Sequence, residues 1–177
     1  PVAGGMLRLG VPEYRLPTDI IEREVQDIVD LGVDLRLNHR IDNLDDIFNE
    51  GFDSVLIAVG AHEGIRLPIP GANLDGVVIN THFLRDVRLG KYNGNLVDSK
   101  LVDGKLGNSP ITNLPITNLP TALGKNVLVL GGGNVAIDCP PSAVRLGRHV
   151  EMACLESGAK VPAHPWEVQA AGEEGIT

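Results

Sequence analysis

The 177-residue sequence is 43% hydrophobic with a formal net charge of -8, which leaves room for one compact domain or two small ones around an ordinary core. Its 15 Lys and Arg against 23 Asp and Glu form no basic cluster, which excludes a nucleic-acid or anionic-membrane surface and leaves small molecules or basic protein patches as partners. No apolar stretch approaches the roughly 20 residues of a membrane span, and the sequence opens on Pro1 rather than methionine, so a fragment of a soluble, cytoplasmic protein is expected.

Residues 1–16, with glycines at 4, 5 and 10 and prolines at 1 and 12, predict a shaped loop. After Pro17, either Thr18 or Asp19 is placed to cap a helix whose Ile20, Ile21, Val25, Ile28, Val29 and Leu31 share one face, with Gly32 ending it. The alternation of "VDLRL" (33–37) predicts a half-buried strand, followed by a short acidic helix around "LDDIFNEG" and a second strand in "SVLIAVG" (54–60). "LPIPGANLDGVV" is rich in turn residues and "THFLRDVRLG" predicts a short helix. "NVLVL" (126–130) is a third strand and "HVEMACLE" a fourth. Strands that alternate with helices imply parallel pairing and an α/β fold built from Rossmann-like βαβ units. Between Gly90 and Lys125 the composition turns to Asn, Gly, Ser, Thr and Pro, with a tandem "ITNLPITNLP" at 111–120, so this insert is read as a low-complexity link between two units.

The third strand runs into Gly131, Gly132 and Gly133, and Gly131, Gly133 and Ala136 match GxGxxG/A. The first glycine permits the tight turn, the second lets backbone amides approach a pyrophosphate, and the small third residue lets helix and strand pack closely. The anion then meets a helix N-terminus at Asn134, Val135 and Ala136, where unpaired amides and the macrodipole favour negative charge. Glu156, 25 positions after Gly131, ends the fourth strand and is placed to accept hydrogen bonds from a ribose. Pro140 and Pro141 fall about two turns into the helix, and they predict a kink or break at 138–141 with "SAVRLG" as a separate segment.

Four motifs in order are similar to a known family: "GGMLRLGVPEYRLP" at 4–17, "DSVLIAVGAHEGIRLPIPG" at 53–71, "VLGGGNVAIDC" at 129–139 and "VPAHPWEV" at 161–168. They resemble the small (beta) subunit of glutamate synthase and its relatives, FAD- and NAD(P)H-dependent oxidoreductases of the pyridine nucleotide-disulfide oxidoreductase superfamily. The resemblance implies that Gly4, Gly5, Met6, Leu7, Gly10, Val11 and Pro12 lie on the FAD side. It places Ala58, Val59, Gly60 and Ala61 where the chain passes between the FAD and NAD(P) domains, and it gives the glycine turn to the NAD(P) domain. The implied reaction is hydride transfer from a nicotinamide to flavin, with electrons passed on to an iron-sulfur protein or a larger partner subunit.

On this reading residues 1–60 are a partial FAD-side domain, 61–125 a connection carrying the insert, and 126–177 a partial NAD(P)-binding domain. The family's first FAD turn, its cysteine-rich iron-sulfur region, the rest of the NAD(P) domain and a C-terminal flavin segment are expected outside this sequence, so the fragment alone is not expected to turn over. Leu155 and Glu156 stand where relatives preferring NADPH carry an Arg pair, which predicts a preference for NADH. The contrasting readings are a non-catalytic, nucleotide-binding or structural remnant, and an electron-transfer scaffold.

The remaining polar residues offer no catalytic set and no metal set. Cys139 and Cys154 lack dithiol or metal-ligand spacing, point to a reducing compartment and are read as small buried apolar side chains. Asp138 is read as complementing the helix dipole rather than as a base. His164, between two prolines, is not assigned to proton transfer, and Trp166 and Glu167 are expected to begin a helix after Pro165. Arg8 and Arg15 are divided between flavin or partner carboxylates and solvent. The cofactors would carry the chemistry, with the protein supplying position and exclusion of water.

Overall fold

A computed structural model describes residues 2–92 and 123–177. Its centre is a parallel pair of strands, β1 (Asn126–Leu130) and β2 (His149–Ala153), in register from Asn126 opposite His149 to Leu130 opposite Ala153. Helix α5 (Asn134–Arg145) joins them, so the described residues contain one βαβ unit with the predicted parallel pairing and the fold is α/β. Before β1 come α1 (Gly5–Leu9), α2 (Thr18–Asp30), α3 (Leu44–Asn49) and α4 (Asn80–Arg88), and after β2 comes α6 (Pro165–Glu173).

The alternation of β1 and β2 sorts their side chains by face. Val150 is buried and Val127, Val129 and Met152 half-buried on the side that packs against α5, whereas Leu128 and Leu130 are exposed on the other. Cys139 and Ala143 of α5, with Leu146 just beyond its end, recur at helical spacing and meet Phe83 and Leu84 of α4 and Val150 of β2 in one core cluster. Ile137 belongs to a second cluster with Ala163, Ala171 and Ile176. The tandem repeat at 111–120 lies outside the described residues. Its flanks nevertheless reach the same core: Tyr92 is buried with its ring 5.4 Å from that of Phe83, and Leu123 packs on the same cluster.

Several local expectations need correction. The loop read for residues 1–16 contains α1, a short helix opened by two positive-φ glycines, Gly4 (102°) and Gly5 (52°). The second helix is capped by neither Thr18 nor Asp19. Pro17 holds the capping position, and the Glu13 carboxylate accepts from the Thr18 backbone N–H at 2.9 Å and from its hydroxyl at 2.7 Å. Of its apolar face only Ile21 is buried, and Ile20, Ile28 and Leu31 face outward.

Segments 33–37 and 54–60, read as strands, form no ladder. A strand is stabilised by backbone bonds to a neighbour, and among the described residues neither segment finds one. Their alternating apolar side chains are accordingly open, Leu56 being 91% exposed.

The break predicted at 138–141 does not occur: α5 continues through Pro140 and Pro141 to Arg145. An interior proline costs about 3 kcal/mol relative to alanine, through its missing N–H and its clash with the preceding turn. Both rings are buried here, Pro140 almost completely, and burying three methylenes is worth about 2.4 kcal/mol per ring at roughly 0.8 each. The neighbouring polar groups stay within the helix, since Ser142 Oγ donates to the Asp138 carbonyl at 2.7 Å and Cys139 Sγ to that of Val135 at 3.5 Å. The packing of α4, α6 and the sheet around α5 keeps continuous what the local sequence would break.

This balance predicts the outcome of removing the prolines. Alanine forfeits two of each ring's methylenes, about 1.6 kcal/mol, and recovers about 3 kcal/mol of helix propensity. The double variant P140A/P141A is expected to raise Tm by several degrees in a thermal melt followed by circular dichroism, and a lower Tm would contradict the accounting.

Candidate functional site

The three consecutive glycines between β1 and α5 have three different physical reasons. Gly131 has φ of 125°, where a side chain is strained, and its N–H continues the ladder to the Ala153 carbonyl at 2.8 Å. Gly132 is buried: a Cβ there would lie 3.1 Å from Cys154 Cβ and 3.2 Å from both Cys154 Sγ and Val161 Cγ1, so the turn passes close under the end of β2. Gly133 has an ordinary φ of -83° and open space, with nothing within 4 Å of where a Cβ would stand. Ala136 lies 3.5 Å from the Cβ position of Gly131, the close approach for which a small residue is needed.

No side chain caps α5 at Gly133. The first helical bond is that of the Ile137 N–H to the Gly133 carbonyl at 3.0 Å, so the amides of Asn134, Val135 and Ala136 precede the ladder and lie next to the open side of Gly133. A strand end, an uncapped helix start and an empty glycine face make a cradle suited to a diphosphate. The Ala163 N–H donates to the Gly132 carbonyl at 2.8 Å and fixes the 161–164 segment beside the turn.

Glu156 stands three residues past β2 with an exposed side chain, and its backbone carbonyl accepts from Cys154 Sγ at 3.0 Å. Leu155 is fully exposed beside it. Cys154 is itself exposed, correcting its reading as a buried apolar side chain: it lies beyond the last ladder pair, with one side against Gly132. Cys139, by contrast, is buried in α5, and burial first, then the Asp138 charge, pushes its thiol up to about 12.

The residues assigned to the flavin side divide. Gly4 and Gly10 are explained by packing within the segment, since a Cβ at Gly4 would lie 2.7 Å from Ile21 Cγ2 and one at Gly10 2.5 Å from Met6 Cε. Met6 and Val11 are half-buried and Pro12 is buried. Gly5 and Leu7 look outward, Gly5 with nothing within 4 Å of a Cβ, and are free to meet a ligand. Ala58, Val59, Gly60 and Ala61 lie exposed in the segment without a ladder, and nothing in the described residues brings them to the glycine turn.

What sequence reasoning missed is the cluster formed by Tyr14 and Arg15. Arg15 Nε lies 2.5 Å from Asp138 Oδ1 on α5, and its Nη1 2.8 Å from the buried Glu167 on α6. Its guanidinium sits 5.4 Å above the Trp166 ring, and that of Arg145 sits 4.1 Å above Tyr14. Asp138 therefore faces an arginine rather than the helix terminus. Burial nonetheless holds its carboxyl above the usual range, with Arg15 opposing. Burial and the Asp138 charge likewise push the Tyr14 phenol up to about 12. Arg8 pairs with Glu22 at 2.9 Å, so neither arginine is left to solvent alone. Trp166 and Glu167 do begin a helix after Pro165, where the His164 N–H donates to the Glu167 carboxylate at 3.2 Å and the His164 ring stacks on Trp166.

Among the described residues no His, Cys, Asp or Glu cluster is arranged to hold a metal ion, and no helix is long and apolar enough to cross a membrane. No protein-family model matches the chain. Over 99% of its length it is 38% identical to the NADP(+)-dependent formate dehydrogenase subunit beta of Moorella thermoacetica, of which it spans 22%. It is 31% identical over 98% of its length to the NADPH-Fe(3+) oxidoreductase subunit beta of Geobacter sulfurreducens, again spanning 22%. With the glutamate synthase [NADPH] small chain of Escherichia coli it shares 28% identity over 99% of its length and spans 34% of that protein. The chain thus covers between about a fifth and a third of these relatives.

The two cysteines allow a direct check of this geometry. A thiol reagent at neutral pH is expected to modify one cysteine, Cys154, in the folded chain and two in denaturant. Two fast native thiols would contradict the placement of Cys139.

Proposed function

We propose, from the chain's membership of the glutamate-synthase-small-chain-like family of pyridine nucleotide-disulfide oxidoreductases, that it is the part of an NAD(P)H-dependent flavoprotein oxidoreductase that carries the nicotinamide nucleotide turn. The observation that carries this reading is the open face of Gly133 beside the uncapped start of α5. Residues 126–177 then supply a Rossmann-like nucleotide half-domain, residues 1–60 part of the flavin side, and 61–125 the connection.

In this assignment the amides of Asn134, Val135 and Ala136 hold the pyrophosphate, Gly131 shapes the turn and Gly132 lets it pass under β2. Gly5, Leu7 and the 58–61 segment face the flavin. When bound, the reduced nicotinamide supplies a hydride that the flavin accepts. The chain's own part is to bind, orient and exclude water. The electrons leave to an iron-sulfur protein or a larger catalytic subunit, a reading supported by the names of the relatives as subunits and small chains. The unladdered 33–37 and 54–60 segments give the chain no completed flavin site of its own, so it is expected to bind nucleotide without turning over.

Gly133→Ala tests the nucleotide site without disturbing the fold, because its φ suits alanine and the space is free. The variant is expected to keep its Tm and to lose at least about tenfold in NAD(P)H affinity by calorimetry, a difference of roughly 1.4 kcal/mol. Equal binding by the two proteins would sink the site.

Within that reading, the exposed Glu156 past β2 favours NADH. A carboxylate accepts bonds from ribose hydroxyls and repels a 2′-phosphate, and Leu155 supplies no cation to offset it. The three relatives are named for NADP(H), so this preference rests on these two residues alone. NADH is expected to bind more tightly than NADPH, with E156R reversing the order. Equal or tighter binding of NADPH by the unaltered chain would overturn the preference.

A further inference from the structure

The segment Glu13–Tyr14–Arg15 makes contacts with α2, α4, α5 and α6. Glu13 caps α2 and pairs with Arg88 of α4, whose Nε also donates to the Arg8 carbonyl at 2.8 Å. Tyr14 lies under Arg145 near the end of α5. Arg15 reaches Asp138 on α5 and Glu167 on α6. Arg15 Nε and Asp138 Oδ1 are both buried and lie 2.5 Å apart, so the ion pair is what serves each of them.

Two of these contacts lead directly to the cradle. Asp138 lies in the turn of α5 that follows the amides of Asn134, Val135 and Ala136. Glu167 binds the His164 N–H, and the adjoining Ala163 N–H holds the Gly132 carbonyl. Arg15 therefore fixes the spacing between the helix that presents the amides and the segment that flanks the glycines. It is half-sheltered, with a side-chain exposure of 25%, and its planar fork meets two carboxylates on different elements, a geometry that lysine's single ammonium does not reproduce.

We propose that Glu13–Arg15 is a strap that couples the nucleotide turn to the N-terminal segment, with Arg15 as its positioning residue. The inference rests on the nucleotide-site reading above. A dinucleotide in the cradle orders α5 and the 161–164 segment, and through Arg15 it orders residues 10–16, which it does not touch. Linkage makes the effect reciprocal, so loosening the strap weakens nucleotide binding.

Trp166, the chain's single tryptophan, lies beneath Arg15 and reports the strap optically. In the 177-residue chain, Arg15→Met is expected to shift Trp166 emission before any ligand is added. It is also expected to weaken NADH or NADPH binding by about tenfold, within the 5–150-fold range typical of coupling between sites. Arg15→Lys recovers part of the affinity. Glu167→Gln, which keeps an acceptor for the His164 N–H and so guards against loss of fold, weakens binding by a smaller factor in the same direction. Arg23→Gln, on an exposed α2 pair, changes neither signal. Amide exchange at residues 10–16 slows when nucleotide is added to the unaltered chain and does not slow in R15M.

A purely structural role for Arg15 predicts a lower Tm with unchanged affinity and unchanged exchange, and that result overturns the inference while leaving the nucleotide site standing. An unaltered chain that binds neither nucleotide overturns both.

Discussion

Most of the described structure follows from the burial of one helix. α5 lies between the β1–β2 ladder, α4 and α6, with its Cys139–Ala143 face in one core cluster and Ile137 in another. This enclosure is why two consecutive prolines sit in mid-helix without ending it, why the Cys139 thiol is pushed up, and why Ser142 turns its hydroxyl back onto the helix. It also fixes the direction of the helix axis, and with it where the free amides of the first turn point. A surface helix with the same sequence would break at residue 140 and aim those amides elsewhere.

The three glycines of the turn answer distinct physical demands that the motif does not separate. Only Gly131 needs its backbone freedom, and only Gly132 is crowded. Gly133 needs neither, which is what makes its absent side chain informative: the fold gives no reason for glycine there, and the proposed nucleotide site would supply one.

The parallel pair, α4 and the starts of α5 and α6 were legible because each is specified locally, by alternation, by i and i+4 apolar spacing or by proline at a helix start. What failed depended on distant partners. The strands at 33–37 and 54–60 have the right pattern, but a ladder requires a neighbour, which the pattern cannot supply. The proline break was a sound local inference overruled by tertiary packing. The cap of α2 came from Glu13, five residues before Thr18, outside the window in which a capping residue is sought.

The same distinction separates the two kinds of residue in the N-terminal motif. Its glycines suggest a ligand, yet Gly4 and Gly10 are accounted for by Ile21 and Met6, while Glu13 ties this segment to α2 and α4, and Tyr14 and Arg15 tie it to α5 and α6. Ion pairs at an open surface contribute little, since solvent screens them and two long side chains must be held still. Those of Arg15 differ because Glu167 is 6% exposed and Asp138 is 16% exposed at the side chain, so losing the guanidinium would strand two sheltered carboxylates, one of which already sits above its ordinary range. An arrangement in which one arginine bridges two sheltered carboxylates on different helices is sensitive to small displacements, and that sensitivity is what a linkage between the turn and the strap requires.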